Sequence, residues 1–298
     1  MRDAVIVSSV RTPVGKAFKD TLRATRPDEL AAAAIRGAVA RAKGLGSKQI
    51  KDVILGCRMP ETEQGMSVAR TASLRADTSA MTINRFCSSG LHAIAIAAER
   101  IMAGHSDVTV AGGTESMSMV PMGGNKISPN PWRMDNYLDA HLSMGLTAEN
   151  VSQKYGITRE QADEFSLASH QKALAAIFPG RFRYEIIPLE VSYAVLENGA
   201  DGSRPKTVQV RFDTDEGPRA DTSLEALAKL KSAFHARGVV TAGNSSQMSD
   251  GAAAAVVMSG ERARALRLKP LARLVAFATA GCPPEEMGIG PVHAIPRH

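Results

Sequence analysis

The chain has 298 residues, of which 44% are hydrophobic and only 4% aromatic, and its formal charge is +6. That length suits one large or two modest domains with a real aliphatic core, and no stretch approaches the roughly 18 consecutive apolar residues of a membrane span. The cysteines Cys57, Cys87 and Cys282 are odd in number and widely spaced, and the histidines form no HExxH pair. This excludes a disulfide framework and a metal-ligand motif, so no metal is expected. The basic residues are dispersed, which describes a solvated basic surface better than the clustered Lys/Arg and aromatic stripe of a nucleic-acid binder. A phosphate-bearing small molecule stays compatible with the charge.

The first predicted element is the strand "AVIVSSV" (4–10). It begins so early that no leader is expected before it, and the expected location is cytoplasmic. "PDELAAAAIRGAVARAKG" (27–44) reads as a helix, with Pro27, Asp28 and Glu29 suited to its first turn and Lys43–Gly44 to its end. "DVILGC" (52–57) is a buried strand, "GMSVARTASLRA" (65–76) a helix, "MTIN" (81–84) a short strand, and "DVTVAGG" (107–113) a strand closed by glycines. Strands alternating with helices predict parallel pairing, with the sheet covered on both faces. Past Gly113 the periodicity fades. Two helices follow, over 146–156 and 158–176, the second opened by a Thr158/Gln161 capping box. Sheet character returns at "AAAAVVMSG" (252–260) and "LARLVAFATAG" (271–281). The fold class is α/β, with a layered core over 1–118, an inserted block over 119–245, and a return to the core over 246–298.

Cys87 lies where "MTIN" turns into the alanine-rich helix "SSGLHAIAIAAERI". A thiol is a nucleophile only as thiolate, and a helix start with unpaired N–H groups favours that form. Gly90 and the small residues around it leave room for close approach of a backbone or a ligand. The same residue also suits a small buried hydrophobe, so both readings stand on the residues alone.

"INRFCSSGLHAIAIAAERI" resembles the active-site signature of the thiolase family. "SMGLTAENVSQKYGITREQADEFSLASHQKA" (143–173) is similar to the thiolase loop domain, and "VVTAGNSSQMSDGAAAAVV" (239–257) to the segment leading back to the core. "MGIGPVHAIP" (287–296) and the opening "VIVSSVRTPVGKAFKDTL" also fit, so the resemblance spans essentially the whole chain. "NRFCSSG" and "SMGLTAEN" look more like the degradative 3-ketoacyl-CoA thiolases than the biosynthetic acetoacetyl-CoA enzymes. The resemblance implies a βαβαβ layered core with an inserted CoA-binding loop domain. It makes Cys87 the nucleophile that carries an acyl group as a thioester. It implies that Met144 lies beside the pantetheine, that Arg219 lies near the adenine nucleotide, and that Phe234, Ala242 and Ser246 line the pantetheine channel. Ser143 stands where biosynthetic members often carry a histidine. Taken from the residues alone, Met144 and Phe234 would be core and Arg219 a solvated charge.

Family members also use a histidine from "GHPxG", a second cysteine from "CxGGG" and an asparagine from "NEAF". None of these strings occurs in this sequence. His105, in "GHS", precedes a strand, and Cys282, in "AGCPPEE", lacks the glycine run, so neither is promoted. The resemblance therefore implies a thiolase whose second core half is largely absent. A missing oxyanion donor costs about 10²–10³ in rate and a missing base about 10²–10⁴, so weak or no turnover is expected. Two further readings stay open: a non-catalytic CoA-binding or interaction protein on the same scaffold, and a basic scaffold that binds nucleic acid. The expected partners are acyl-CoA and CoA, as substrates rather than cofactors, and a second copy of the chain; no nucleic acid and no membrane are expected. The apolar Cys87 helix also predicts an uncovered apolar face.

Overall fold

The structure, a computed structural model, describes residues 2–73, 77–199 and 202–297. In chain order its elements are β1 (Ala4–Arg11), β2 (Gly15–Lys16), α1 (Pro27–Arg41), β3 (Asp52–Gly56), α2 (Val68–Ala72), β4 (Ser79–Ile83), α3 (Ser89–Met102), β5 (Val108–Ser116), α4 (Pro131–Asn136), α5 (Met144–Tyr155), α6 (Arg159–Ile177), β6 (Leu189–Gly199), β7 (Gly202–Phe212), α7 (Leu224–Ala228), β8 (Ser249–Ser259), α8 (Gly260–Ala265), β9 (Ala272–Arg273) and α9 (Gly290–Ala294). They group into two units. The first is Met1–Asn125, Arg181–Gly217 and Met248–Val275; the second is Lys126–Gly180, Pro218–Gln247 and Ala276–His298.

The first unit is built on a sheet of order β4-β3-β5-β8-β1-β9, with β2 on β8. The β4–β3 and β3–β5 pairs are parallel, as predicted. The β5–β8, β1–β8 and β1–β9 pairs are antiparallel, so the all-parallel expectation is corrected to a mixed sheet. The reason is the route: β8 returns from a long excursion rather than through a single crossover helix, so the parallel rule does not bind it. Alternation sorts the side chains to two faces. Val53, Leu55, Val108, Val110 and Val256 meet Leu30, Ala34, Ile35 and Ala38 of α1. Ile54, Ala111 and Val257 meet Ala93, Ala97, Ala98 and Ile101 of α3. The outer side of α3 is less covered than the sheet side: Ile94 and Ile96 are partly buried and Leu91 is exposed.

Several boundaries differ from expectation for local reasons. Met66 and Ser67 hold φ of 49° and 58°, which delays α2 until Val68; residues 74–76 of the predicted helix lie outside the described residues. β5 continues past Gly113 to Ser116. Of the predicted sheet segment 271–281, only Ala272 and Arg273 pair, with Ile6 and Val5. The expected block 119–245 is divided, because 181–217 packs with the first unit. Arg11 holds it there: its guanidinium bonds Glu185 at 2.7 Å and Asp215 at 2.6 and 2.9 Å, and its carbonyl accepts the Ile187 N–H at 2.8 Å. Ile187 lies over Gly37 of α1, where a Cβ would displace the Ile187 Cδ1.

In the second unit, Thr158 and Gln161 form the predicted capping box at the start of α6. Arg159 then bonds Asp163 at 2.7 Å and the Leu227 carbonyl at 2.6 Å, which ties α6 to α7. Glu149 of α5 accepts the N–H groups of Val239 and Val240, both at 2.9 Å.

Gly56 of β3 packs closely on the start of α3, against the backbone of Ser89 and Gly90. A Cβ on Gly56 would overlap the Ser89 backbone at the start of α3, whereas one on Gly90 would make ordinary contact with Gly112 at 3.7 Å. Gly56→Ala is expected to destabilise the chain by about 1–3 kcal/mol, the usual cost of overpacking. Urea unfolding checks this, and an unchanged midpoint would show that α3 does not rest on β3.

Candidate active site

Strands β4, β3 and β5 are parallel, so Ile83, Gly56 and Ser116 end at one edge of the sheet. Ligands in open α/β sheets bind outside such carboxyl ends. Cys87 lies just past β4 on that edge and is exposed. The turn that presents it is strained: Phe86 has φ of 46° with its ring 62% exposed, a conformation that costs a non-glycine residue about 1–2 kcal/mol.

Short polar side chains hold this turn. The Asn84 Oδ1 accepts the Phe86 N–H at 2.8 Å and its Nδ2 donates to the Arg58 carbonyl at 2.9 Å. The Ser89 hydroxyl accepts the Arg85 N–H at 2.7 Å and donates to the Phe86 carbonyl at 2.6 Å. The Ser88 hydroxyl donates to the Arg85 carbonyl at 2.9 Å. The expectation of unpaired amides behind Cys87 needs correction here. The N–H of Ser88 bonds Arg85 O at 3.2 Å and that of Ser89 bonds Phe86 O at 3.1 Å, because the strained turn folds its own carbonyls under them. Helix α3 begins at Ser89, so the thiol precedes the cap position rather than occupying it.

Cys57, at the end of β3, is a different kind of thiol. It is buried, and desolvation followed by the negative charge of Glu115 pushes its pKa up to about 12. Cys282 is half-buried in the second unit. Among the described residues no cluster of His, Cys, Asp or Glu suits a metal ion, and no helix is long and apolar enough to cross a membrane.

The other predicted site residues all belong to the second unit. Met144 opens α5, behind the Ser143 cap whose hydroxyl accepts the Leu146 N–H at 3.4 Å. The Phe234 ring covers Gly145, the residue after Met144, and Met144 and Phe234 are both partly exposed. Neither is the buried core residue that the bland reading allowed. Ala242 and Ser246 are exposed on the loop after Thr241. Asn244 pins that loop, donating to Asp163 at 3.0 Å and to Val239 O at 2.9 Å. Arg219 is exposed and bidentate to Asp221 at 3.0 and 2.7 Å, and the bond to that carboxylate raises its pKa. Its backbone N–H donates to His170 at 3.1 Å.

Sequence reading missed Glu115, Gln64 and Arg58. Glu115 accepts the Arg58 N–H at 2.6 Å and the Gln64 Nε2 at 2.8 Å, and Gln64 is fully buried. The available signal was a carboxylate directly after the buried run "DVTVAGGT", where a charge needs partners.

Residues 4–261 match the family described as the thiolase N-terminal domain. The chain is 50% identical to a 3-ketoacyl-CoA thiolase of Bacillus subtilis, covering 100% of this chain and 76% of the relative. It is 44% identical to an acetyl-CoA acetyltransferase of Pseudomonas aeruginosa, again over 100% of this chain and 76% of the relative. The crystal structure of the Bacillus anthracis acetyl-CoA acetyltransferase superposes with a TM-score of 0.84 at 39% identity, covering 100% of this chain and 75% of that one.

The two core thiols are expected to differ sharply in reactivity. Iodoacetamide at pH 8–9 should alkylate Cys87 first and leave Cys57 untouched until the chain unfolds, as read by peptide mass spectrometry; equal labelling of Cys57 would contradict its burial. Because folding raises the Cys57 pKa, its contribution to stability is complete below the free-thiol value near ~8.5 and is lost as pH rises toward about 12. Thermal midpoints should therefore fall above pH 9, and less steeply in Cys57→Ala.

Proposed function

The chain belongs to the thiolase family, and from that premise we propose that it is an acyl-CoA acyltransferase working through a thioester on Cys87. The reaction is thiolytic cleavage of a 3-ketoacyl-CoA to acetyl-CoA and a shortened acyl-CoA, or the reverse condensation. In cleavage the thiolate adds to the 3-keto carbon. The bond to the α-carbon breaks, acetyl-CoA departs as its enolate and takes up a proton, and the acyl group stays on sulfur. The thiol of a second CoA then attacks the thioester, and Cys87 is released. Dividing one difficult transfer into two easier ones is what a covalent intermediate contributes.

The observation that carries this reading is the exposed Cys87 thiol on a strained strand-to-helix turn at the carboxyl edge of three parallel strands. The second unit supplies the proposed CoA side. Met144 and Phe234 offer apolar surface to the pantetheine arm, Ala242 and Ser246 an exposed loop along it, and Arg219 a cation for the phosphates of the nucleotide. CoA is a substrate here, and the proposal includes no cofactor. It does include a cytoplasmic, self-associating protein of fatty-acid degradation. The exposed Met144 and Phe234, which would serve binding alone, favour a second reading, a non-catalytic CoA-binding protein on the thiolase scaffold.

The test is incubation with acetyl-CoA, then mass spectrometry of the Cys87 peptide, alongside a thiolysis assay with a 3-ketoacyl-CoA. An acetyl thioester on Cys87 and thiolysis, both lost in Cys87→Ala, are expected. CoA binding should survive that substitution and weaken about tenfold in Arg219→Ala, the loss of one charge-assisted contact. CoA binding without any thioester would favour the second reading, and neither binding nor thioester would overturn both.

A further inference from the structure

We propose that Glu115 is a positioning residue for Cys87, acting through the Arg58–Met59 peptide and Asn84. The chain of contacts is continuous and lies within the first unit. Glu115 is the next-to-last residue of β5 and receives the N–H of Arg58 at 2.6 Å, the N–H of Met59 at 3.4 Å and the Nε2 of Gln64 at 2.8 Å. Gln64 is itself fixed, donating to the Met59 carbonyl at 2.8 Å and accepting the Ser116 N–H at 2.5 Å. The 2.6 Å bond comes from the Cys57–Arg58 peptide and the 3.4 Å bond from the Arg58–Met59 peptide, so the carboxylate holds the backbone on both sides of Arg58 and with it the Arg58 carbonyl. That carbonyl, Arg58 O, is what Asn84 Nδ2 holds at 2.9 Å.

Asn84 converts the anchor into a turn. With Nδ2 fixed, its Oδ1 meets the Phe86 N–H at 2.8 Å and stabilises the left-handed Phe86, φ 46°. The Arg58 guanidinium adds a second hold, standing 6.0 Å from the Phe86 ring centre while donating to Met122 O at 2.7 Å. A strained residue persists only where its surroundings over-determine it. Here the surroundings are a carboxylate from β5, a peptide after β3 and an amide after β4. If the anchor is released, Phe86 relaxes and Cys87, the next residue, leaves its outward orientation.

The proposal rests on Cys87 being the acyl-carrying thiol. Its test, iodoacetamide alkylation without any acyl-CoA, separates the two. Rates are read peptide by peptide, with Cys282 as the reference thiol. Glu115→Gln turns an N–H toward Gln64, and Asn84→Ser keeps a short acceptor for Phe86 but cannot reach Arg58. Each is expected to slow Cys87 about tenfold, the scale of one held conformation lost, with Cys282 unchanged. The double variant should be no slower than the slower single, because both cut one path. A folded Asn84→Ser chain with Cys87 at the wild-type rate, or single effects that multiply in the double, would overturn the proposal. Should Glu115→Gln fail to fold, the exposed Asn84 decides alone. Slowing in both Asn84→Ser and Asn84→Ala supports the anchor, whereas slowing in Asn84→Ala only would assign the whole effect to the Phe86 cap and overturn it.

Discussion

The first unit depends on one slot being filled. β8 runs antiparallel between β5 and β1, paired with β5 from Val108 opposite Met258 to Ser116 opposite Asp250, and with β1 over nearly its whole length. Its small residues suit the position. A Cβ on Gly112 would overlap the Ala253 carbonyl, so the backbones are as close as two strands allow. The chain leaves the sheet at Ser116 and returns only at Ser249. Until then β1 has no partner joining it to β5, and the sheet remains two pieces. Pairings of such sequence separation close late, because loop entropy is spent before the contacts form. The sheet is therefore cooperative across the excursion and mixed in direction.

The same strand organises the carboxyl edge. Asp250, at the start of β8, is fully buried and accepts the Ser116 hydroxyl at 3.2 Å, the Ser118 N–H at 2.9 Å and the Ser118 hydroxyl at 2.5 Å. A buried carboxylate is tolerated only where donors replace the lost water. Here the donors belong to the segment just beyond Glu115. β8 thus fixes where β5 ends, and β5 fixes where Glu115 stands. The Cys87 turn is reached from residue 250 through contacts that never touch Cys87 itself.

Much of this organisation was readable in the residues. α1 began at its proline and acidic turn, α6 at its Thr158/Gln161 box, and Cys87 stood between a strand and a helix. These are local signals, written in capping chemistry and period. What was not readable depends on partners far along the chain. Nothing in "AAAAVVMSG" encodes the direction in which the strand enters the sheet. Nothing in "YEIIPLEV" announces that Arg11, some 170 residues earlier, would hold that segment through Glu185 and Asp215. The amides of Ser88 and Ser89 were expected to be unpaired because a helix was counted from its composition, whereas the left-handed Phe86 gives them carbonyls. Arg219 read as a free cation because its pairing with Asp221 is a matter of rotamer, not pattern.

Glu115 stands beside one of two thiols that follow neighbouring strand ends. A carboxylate suppresses ionisation of any thiol beside it, and Cys57 shows the effect, held near 12 by burial and that charge together. Yet a carboxylate is also the strongest acceptor available to fix the peptides of an irregular turn. Glu115 uses the second property at one remove from the exposed cysteine. Glu115 bonds backbone N–H groups, the Arg58 carbonyl accepts Asn84, and Asn84 caps the turn, so the proposed support runs through neutral amides. Burial separates the two thiols: Cys57 lies inside beside the carboxylate, while Cys87 lies outside at the end of the proposed relay.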